Sequence, residues 1–161
     1  MATRRPIVLD DLDHKLLERL QQDAGQTLLA LGDAIGLSSS AVQRRIGRYH
    51  AAGLIAKQVV VLDPEAVLGT VLAVVLVTLE SESRKLHQAF RNRMRGAAEV
   101  QQCYSLAGDR DYLVIVVAAG LPACRDAVDR LFMDDANVKR YTTHLVFDVV
   151  KAGLSLPTRS G

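Results

Sequence analysis

Two stretches in the second half of the chain, TVLAVVLVTLE (Thr70–Glu80) and YLVIVVA (Tyr112–Ala118), are apolar on both sides of an extended backbone. Successive strand residues point to opposite faces, so a sheet covered on one side should alternate apolar with polar. Here Val71, Ala73, Val75 and Val77 share one face, while Leu72, Val74 and Leu76 share the other. Tyr112, Val114 and Val116 oppose Leu113, Ile115 and Val117 in the same manner. The elements around them predict β-α-β-β-α-β. From Ser83 to Arg95, Leu86, Ala89, Phe90 and Met94 make an amphipathic helix that stops at Gly96, and EVQQCYSLA then forms a strand. After the GDRD turn and the second apolar strand, Pro122 opens a helix carrying Cys124, Ala127, Val128, Leu131 and Phe132. VKRYTTHLVFDVV ends the order as a strand. This is a split-βαβ, ferredoxin-like plan. Its two helices cover one face only. The other would leave several hundred Å² of aliphatic surface wet, a penalty on the order of 10 kcal/mol at ~25 cal/mol per Å². Pairing with a second copy through the sheet faces removes it, so a homodimer is expected.

The first half follows the 3.6-residue period of helices. Leu12, Leu16, Leu17 and Leu20 line one face of a helix from Asp10 to Asp23, with Asp10, Asp11 and Asp13 at its acid-favouring N-terminal end and Gly25 beyond it. Thr27 is the expected N-cap of a short helix over 28–35 that Gly36 stops, and Ser38 the N-cap of a third over 39–52 that ends at Gly53. LIAKQVVVLDP then reads as a strand, or a strand with a ragged partner, halted by Asp63-Pro64.

The third helix carries the chemistry. Val42, Ile46 and Tyr49 form an inner wall at i, i+4 and i+7; Ser40, Arg44 and Gly47 lie opposite, flanked by Gln43 and Arg48, with Arg45 at the border. No Asp or Glu occurs between Ser38 and Lys57. Short polar residues at a helix's N-terminal end with arginine behind them suit the major groove: Ser and Gln reach base edges, Arg grips guanine or phosphate, and the following strand can touch the backbone as a wing. The whole chain carries a formal charge of only +2, so the location of its cations matters more than their sum.

Other chemistries find little support. His14, His50, His87 and His144 show no metal-ligand spacing, and no phosphate-binding glycine loop or Ser-His-acid arrangement is present, so neither a metal, a cofactor nor an enzymatic activity is expected. Cys103 and Cys124, without a C-x-x-C spacing, read as small buried hydrophobes of a reduced, cytoplasmic chain. No apolar run approaches the ~20 residues that span a bilayer, and the N-terminus has no signal-peptide segment. Arg4 and Arg5 are candidates for a minor-groove arm or for a frayed end.

LDDLDHKLLERLQQDAG, LGDAIGLSSSAVQRRIGRYHAAGLI, LDPEAVLG and SLAGDRDYLV, in this order and spacing, resemble the Lrp/AsnC (leucine-responsive, feast-or-famine) family of transcription regulators, from Leu9 to Lys151. The resemblance implies an α+β protein: a winged helix-turn-helix DNA-binding domain over residues 1–62, then a ferredoxin-like dimerisation and effector-binding domain over 63–151, with 152–161 as a loose tail. It implies a homodimer that can assemble further, double-stranded DNA as partner, and an amino acid or similar small effector bound between subunits. Carried over residue by residue, the DNA contacts are Ser39, Ser40, Gln43, Arg44, Arg45 and Arg48, to which Lys57 of the wing is added from its charge. Gly47 stands where the family often has a bulkier or basic residue, which weakens one phosphate contact. Gly108, Asp109, Asp111 and Tyr112 match the effector-loop motif, and Tyr104, Leu121 and His144 match pocket positions more loosely. Such a loop suits an amino acid, since bare N–H groups take its carboxylate and Asp109 or Asp111 its ammonium. Two alternatives share the plan: a sirohaem-decarboxylase-like enzyme, and an architectural DNA-binding protein that needs no effector.

Overall fold

The computed structural model describes residues 7–63, 66–67 and 69–159. The chain divides into two compact units, Met1–Val61 with Lys151–Gly161, and Leu62–Val150.

The N-terminal unit holds α1 (Asp11–Gln22), α2 (Leu28–Ile35) and α3 (Ser39–Ala51). Local chemistry sets each start. Asp10 and Asp13 form a reciprocal capping box on α1, and the Thr27 and Ser38 hydroxyls accept from the backbone N–H groups of Ala30 and Ala41. Gly36, at φ 76°, turns the chain between α2 and α3. Gly32 lets that turn close: a Cβ there would stand 2.3 Å from the Leu37 carbonyl oxygen. Leu16, Leu17, Leu31, Ile35, Val42 and Tyr49 form the core.

The strand expected from Leu54 to Asp63 is absent. Residues 56–63 adopt no regular structure, and Val59, Val60, Val61 and Leu62 stand exposed. The valine run has strand propensity, but a strand exists only against a partner, and none is offered within the described protomer. No wing strand therefore forms among the described residues, while the three helices of the helix-turn-helix are in place. The segment over residues 152–159 is not a loose tail either. It has no regular structure, yet Leu156 exchanges two hydrogen bonds with the Gln21 side chain on α1, 2.7 and 3.1 Å. Thr158 lies 3.0 Å from His14 Nδ1, and Arg159 pairs with Asp11 at 3.1 Å. Small polar composition does not reveal such pairings, which act through single donors and acceptors. Arg4 and Arg5 lie outside the described residues, as does Pro64.

The second unit contains β1 (Thr70–Leu79), α4 (Arg84–Gly96), β2 (Val100–Ser105), β3 (Tyr112–Ala119), α5 (Leu121–Val128) running into a π turn over Asp129–Met133, and β4 (Val138–Leu145). The sheet order is β2-β3-β1-β4 and every neighbouring pair is antiparallel. One face meets the helices: Ala73, Val75, Val77, Tyr112, Val114 and Val116 pack on Phe90, Met94, Cys124, Ala127, Leu131 and Phe132. Phe90 lies 4.5 Å from Tyr112 between ring centroids. The opposite face, with Leu76 beside Leu113, Val74 beside Ile115 and Leu72 beside Val117, is only half-buried and has no helix over it.

Candidate DNA-reading helix and effector loop

On α3 the inner wall is as the helical period requires, with Val42 and Tyr49 fully buried. The Tyr49 hydroxyl cannot be buried without an acceptor. It finds one in Asp13 of α1, itself 0% exposed, donating to Oδ1 at 2.5 Å. Arg45 donates to the same oxygen at 2.5 Å and to Asp10 at 2.9 Å, and Arg48 donates to Asp13 Oδ2 at 2.5 Å. The Asp10 backbone N–H closes the set at 3.0 Å. Burial alone would raise the Asp13 pKa. The hydrogen bonds from Tyr49, the Asp10 backbone, Arg45 and Arg48 outweigh it and hold the carboxyl below the ordinary carboxylate range. Burial and the Asp13 carboxylate push the Tyr49 hydroxyl up, and the bond to Asp13 keeps Arg45 firmly charged.

This hub sorts the expected DNA contacts. Arg45 is already engaged: its side chain is 18% exposed and its guanidinium is held by two carboxylates. Its work is to fix α3 against α1. Arg48 is divided, tied to Asp13 yet 47% exposed. Ser40, Gln43 and Arg44 are exposed, and Gln43 and Arg44 have no protein partner among the described residues; Ser40 touches only the Ser38 hydroxyl at 3.2 Å. Ser39 is half-buried, and Lys57 is exposed on the segment that forms no strand. Gly47 faces open space. Sequence reasoning missed Asp13, although two signals pointed to it: the Asp-x-x-Asp box, and a tyrosine on a buried wall that demands an acceptor.

The seven expected effector residues do not converge in one protomer. Asp111 is a loop anchor: its N–H donates to the Val77 carbonyl at 2.9 Å and its Oδ2 accepts from the Leu79 N–H at 2.7 Å. Tyr112 is buried on the helix side, its hydroxyl 2.8 Å from His87 Nδ1 and accepting from Arg91 Nε at 3.1 Å. Tyr104 and His144 lie on the other face, beside Leu113 of β3 and Val74 of β1. They occupy opposite edge strands, three strand spacings or about 14 Å apart. Leu121 opens α5 and is exposed, Gly108 has φ 149°, and Asp109 is exposed beside Arg110 Nε at 3.6 Å.

Two further features depend on the fold. An open pocket of about 460 Å³ between α4 and β2 is lined by Arg91, Arg95, Met94, Gln102, Cys103 and Tyr112, among others. Burial there pushes the Cys103 thiol up, with the two arginines opposing it in part. Glu82, His87 and Asp111 bring a carboxylate, an imidazole and a second carboxylate within 4.8 Å of one another, a set that could receive a divalent ion and that spacing did not reveal. The imidazole is already engaged, by Tyr112 and by Glu82 at 3.4 Å. No helix among the described residues is long and apolar enough to cross a membrane.

A helix-turn-helix with an exposed polar and cationic wall, followed by a four-stranded sheet domain, is the plan of a DNA-binding regulator. Family models agree: residues 9–50 match the AsnC-type helix-turn-helix domain and residues 72–156 the Lrp/AsnC ligand binding domain. The chain belongs to the Lrp/AsnC family of transcriptional regulators. It is 34% identical, over 92% of its length and 88% of the relative's, to an uncharacterised helix-turn-helix-type transcriptional regulator of Sinorhizobium fredii. A transcriptional regulator of Neisseria meningitidis in complex with L-methionine superposes with a TM-score of 0.84 at 27% identity, covering 93% of this chain and 97% of that one. A feast-or-famine regulatory protein of Mycobacterium tuberculosis, complexed with L-methionine, gives 0.79 at 32% identity, covering 90% and 96%.

Proposed function

We propose that this DNA-binding regulator acts as a homodimer joined through the open sheet faces, capable of further assembly, and that an amino acid bound at the subunit junction modulates its grip on DNA. The reading of DNA rests on one observation above others: the outer wall of α3 presents Gln43 and Arg44 without a partner among the described residues, beside exposed Ser40, while its inner wall is bolted to α1. Ser39, Arg48 and Lys57 supply backbone contacts at the margins. Pairing is supported by the half-buried aliphatic face of β1 and β3, which no described element of its own unit covers. A junction also explains why Tyr104 and His144 stand apart in one copy, since a second copy can bring the two edges together. The L-methionine complexes of the two relatives support an amino acid as effector. Asp109 offers an exposed carboxylate for its ammonium, paired only loosely with Arg110 at 3.6 Å, Gly108 a bare backbone, and Asp111 holds the loop in place. The protein is not an enzyme in this reading, needs no metal or cofactor, and works in the cytoplasm.

The test pairs calorimetric titration of the twenty amino acids with footprinting on a duplex selected by the wild type. An amino acid should bind at micromolar to millimolar concentration and change the footprint. Asp109→Ala should lose that binding while the selected duplex is still recognised. Arg44→Ala should lose the duplex preference while effector binding persists. If no amino acid binds and none alters DNA affinity, the effector half of the proposal fails and an effector-independent architectural role replaces it.

A further inference from the structure

α4 carries a charge pattern that its structural duties do not explain. Its 13 residues, RKLHQAFRNRMRG, include Arg84, Lys85, Arg91, Arg93 and Arg95 and no acid. The inner face is spent on Phe90 and Met94, both buried in the core. Arg93 turns aside to pair with Asp135. The rest gather outside: Arg84, Gln88, Arg91, Asn92 and Arg95, at i, i+4, i+7, i+8 and i+11, fall on one exposed face with Lys85 at its border. Arg84, Lys85, Arg91 and Arg95 form no ion pair among the described residues. Arg91 spends one nitrogen on Tyr112, and Arg95 one on Asn92 at 3.1 Å, which also accepts from Gln88 at 2.8 Å.

For a merely solvated helix this is a poor arrangement. Like charges a turn apart repel, and Arg84 and Lys85 stand in the first turn, where the helix dipole disfavours cations and Ser83 offers no side-chain cap. Solvated helices usually interleave the two signs, as α1 does. Concentrating cations on one wall, in a chain whose formal charge is only +2, suits an anionic partner. The row from Arg84 to Arg95 is about 16 Å long, comparable to the axial rise of about five base pairs of duplex at 3.4 Å each. Gln88 and Asn92 add neutral amide donors of the kind that bond phosphate oxygens, and no apolar side chain interrupts the row to enter lipid.

We propose that the outer face of α4 is a second DNA-binding surface, gripping the phosphate backbone without reading sequence, in addition to the sequence-reading face of α3. It lets the regulator hold more duplex than its recognition helices cover.

The test measures binding of the full-length protein to 80-base-pair labelled duplexes, one containing a wild-type-selected site and one scrambled, across a salt series. Two variants remove charge: Arg84→Gln, Lys85→Gln, Arg91→Gln and Arg95→Gln together, and a triple that spares Arg91 because of its bond to Tyr112. A third, Arg84→Lys, Arg91→Lys and Arg95→Lys, keeps charge. Both glutamine variants should melt near the wild-type temperature and bind both duplexes at least about tenfold more weakly at 0.1 M salt. Their plots of log K against log salt should be shallower by about two, with the preference between duplexes unchanged. The lysine variant should retain the slope. Arg44→Ala should instead erode the preference. An unchanged slope in both glutamine variants overturns the proposal, as does a loss confined to the selected site. If light scattering shows altered assembly while the slope per bound copy stays constant, the face joins copies of the protein and the proposal is likewise overturned.

Discussion

Replacing Asp13 with asparagine keeps the shape of the buried side chain and removes its charge, so it isolates what that charge does for α3. Three contributions are lost. The Tyr49 hydroxyl keeps an acceptor but exchanges a charged hydrogen bond for a neutral one, about 1 kcal/mol. Arg45 loses its shorter carboxylate and retains Asp10, costing about 1.5 kcal/mol at a guanidinium so little exposed. The Asp10 N–H then faces an amide that can satisfy it only by turning donors towards the arginines, and the half-exposed Arg48 pair adds at most about 1 kcal/mol. The sum is about 3 kcal/mol, at the low edge of what breaking a buried pair costs. In a unit of roughly 70 residues that lowers the melting temperature by about 12 °C or more. Calorimetry should show the shift in the N-terminal unit's transition. The gap between wild type and variant should depend on pH with a definite sign. The Asp13 carboxyl titrates below its unfolded value, so its stabilisation is complete above the ordinary carboxylate pKa near 4 and is lost as the pH falls further. The difference should be constant from pH 8 to 5 and close below about 4. A loss under 1 kcal/mol at pH 7, or a gap that widens in acid, refutes the assignment of Asp13 as the carboxylate that seats α3.

Gly32→Ala should cost about 2 kcal/mol or more and abolish DNA binding, because the new methyl would meet the Leu37 carbonyl oxygen at 2.3 Å and force α2 from the turn; urea unfolding and a gel shift check both halves. Gly47→Ala, by contrast, meets nothing within 4 Å and should stabilise the protein by about 0.5–1 kcal/mol through helix propensity, read from the same unfolding curves. Leu113→Lys places a charge on a central strand of the half-buried sheet face and should shift sedimentation from paired to single copies, leaving the far-ultraviolet dichroism unchanged. A paired Leu113→Lys protein would move the interface elsewhere.

What could be read in the sequence was whatever is decided over a few residues. Thr27, Ser38 and Gly36 mark helix ends because a cap acts within one turn, and all three do so in the structure. The two faces of β1 and β3 were legible because strand parity is fixed by the backbone. What escaped depends on separation along the chain. Asp13 and Tyr49 stand 36 residues apart, and Asp11 looks like an equally good acid until α1 is laid against α3. Arg45 and Arg44 are neighbours with opposite fates, since about 100° of helical turn sends one inward to Asp10 and Asp13 and leaves the other outside. The segment after Gly53 has the residues of a strand, and no local pattern tells whether a partner exists. Tyr104 and His144 were grouped by resemblance, but the order β2-β3-β1-β4 puts them on opposite edges.

The division of labour around α3 also says how this regulator could be retargeted. Asp13, Arg45 and Tyr49 set the roll of the helix from its rear, and none of them needs to know what is read at the front. If the proposed reading of DNA by Ser40, Gln43 and Arg44 holds, exchanging them should change the message without disturbing the mount, and a combinatorial library over those three positions should stay folded while its members diverge in the operators they choose.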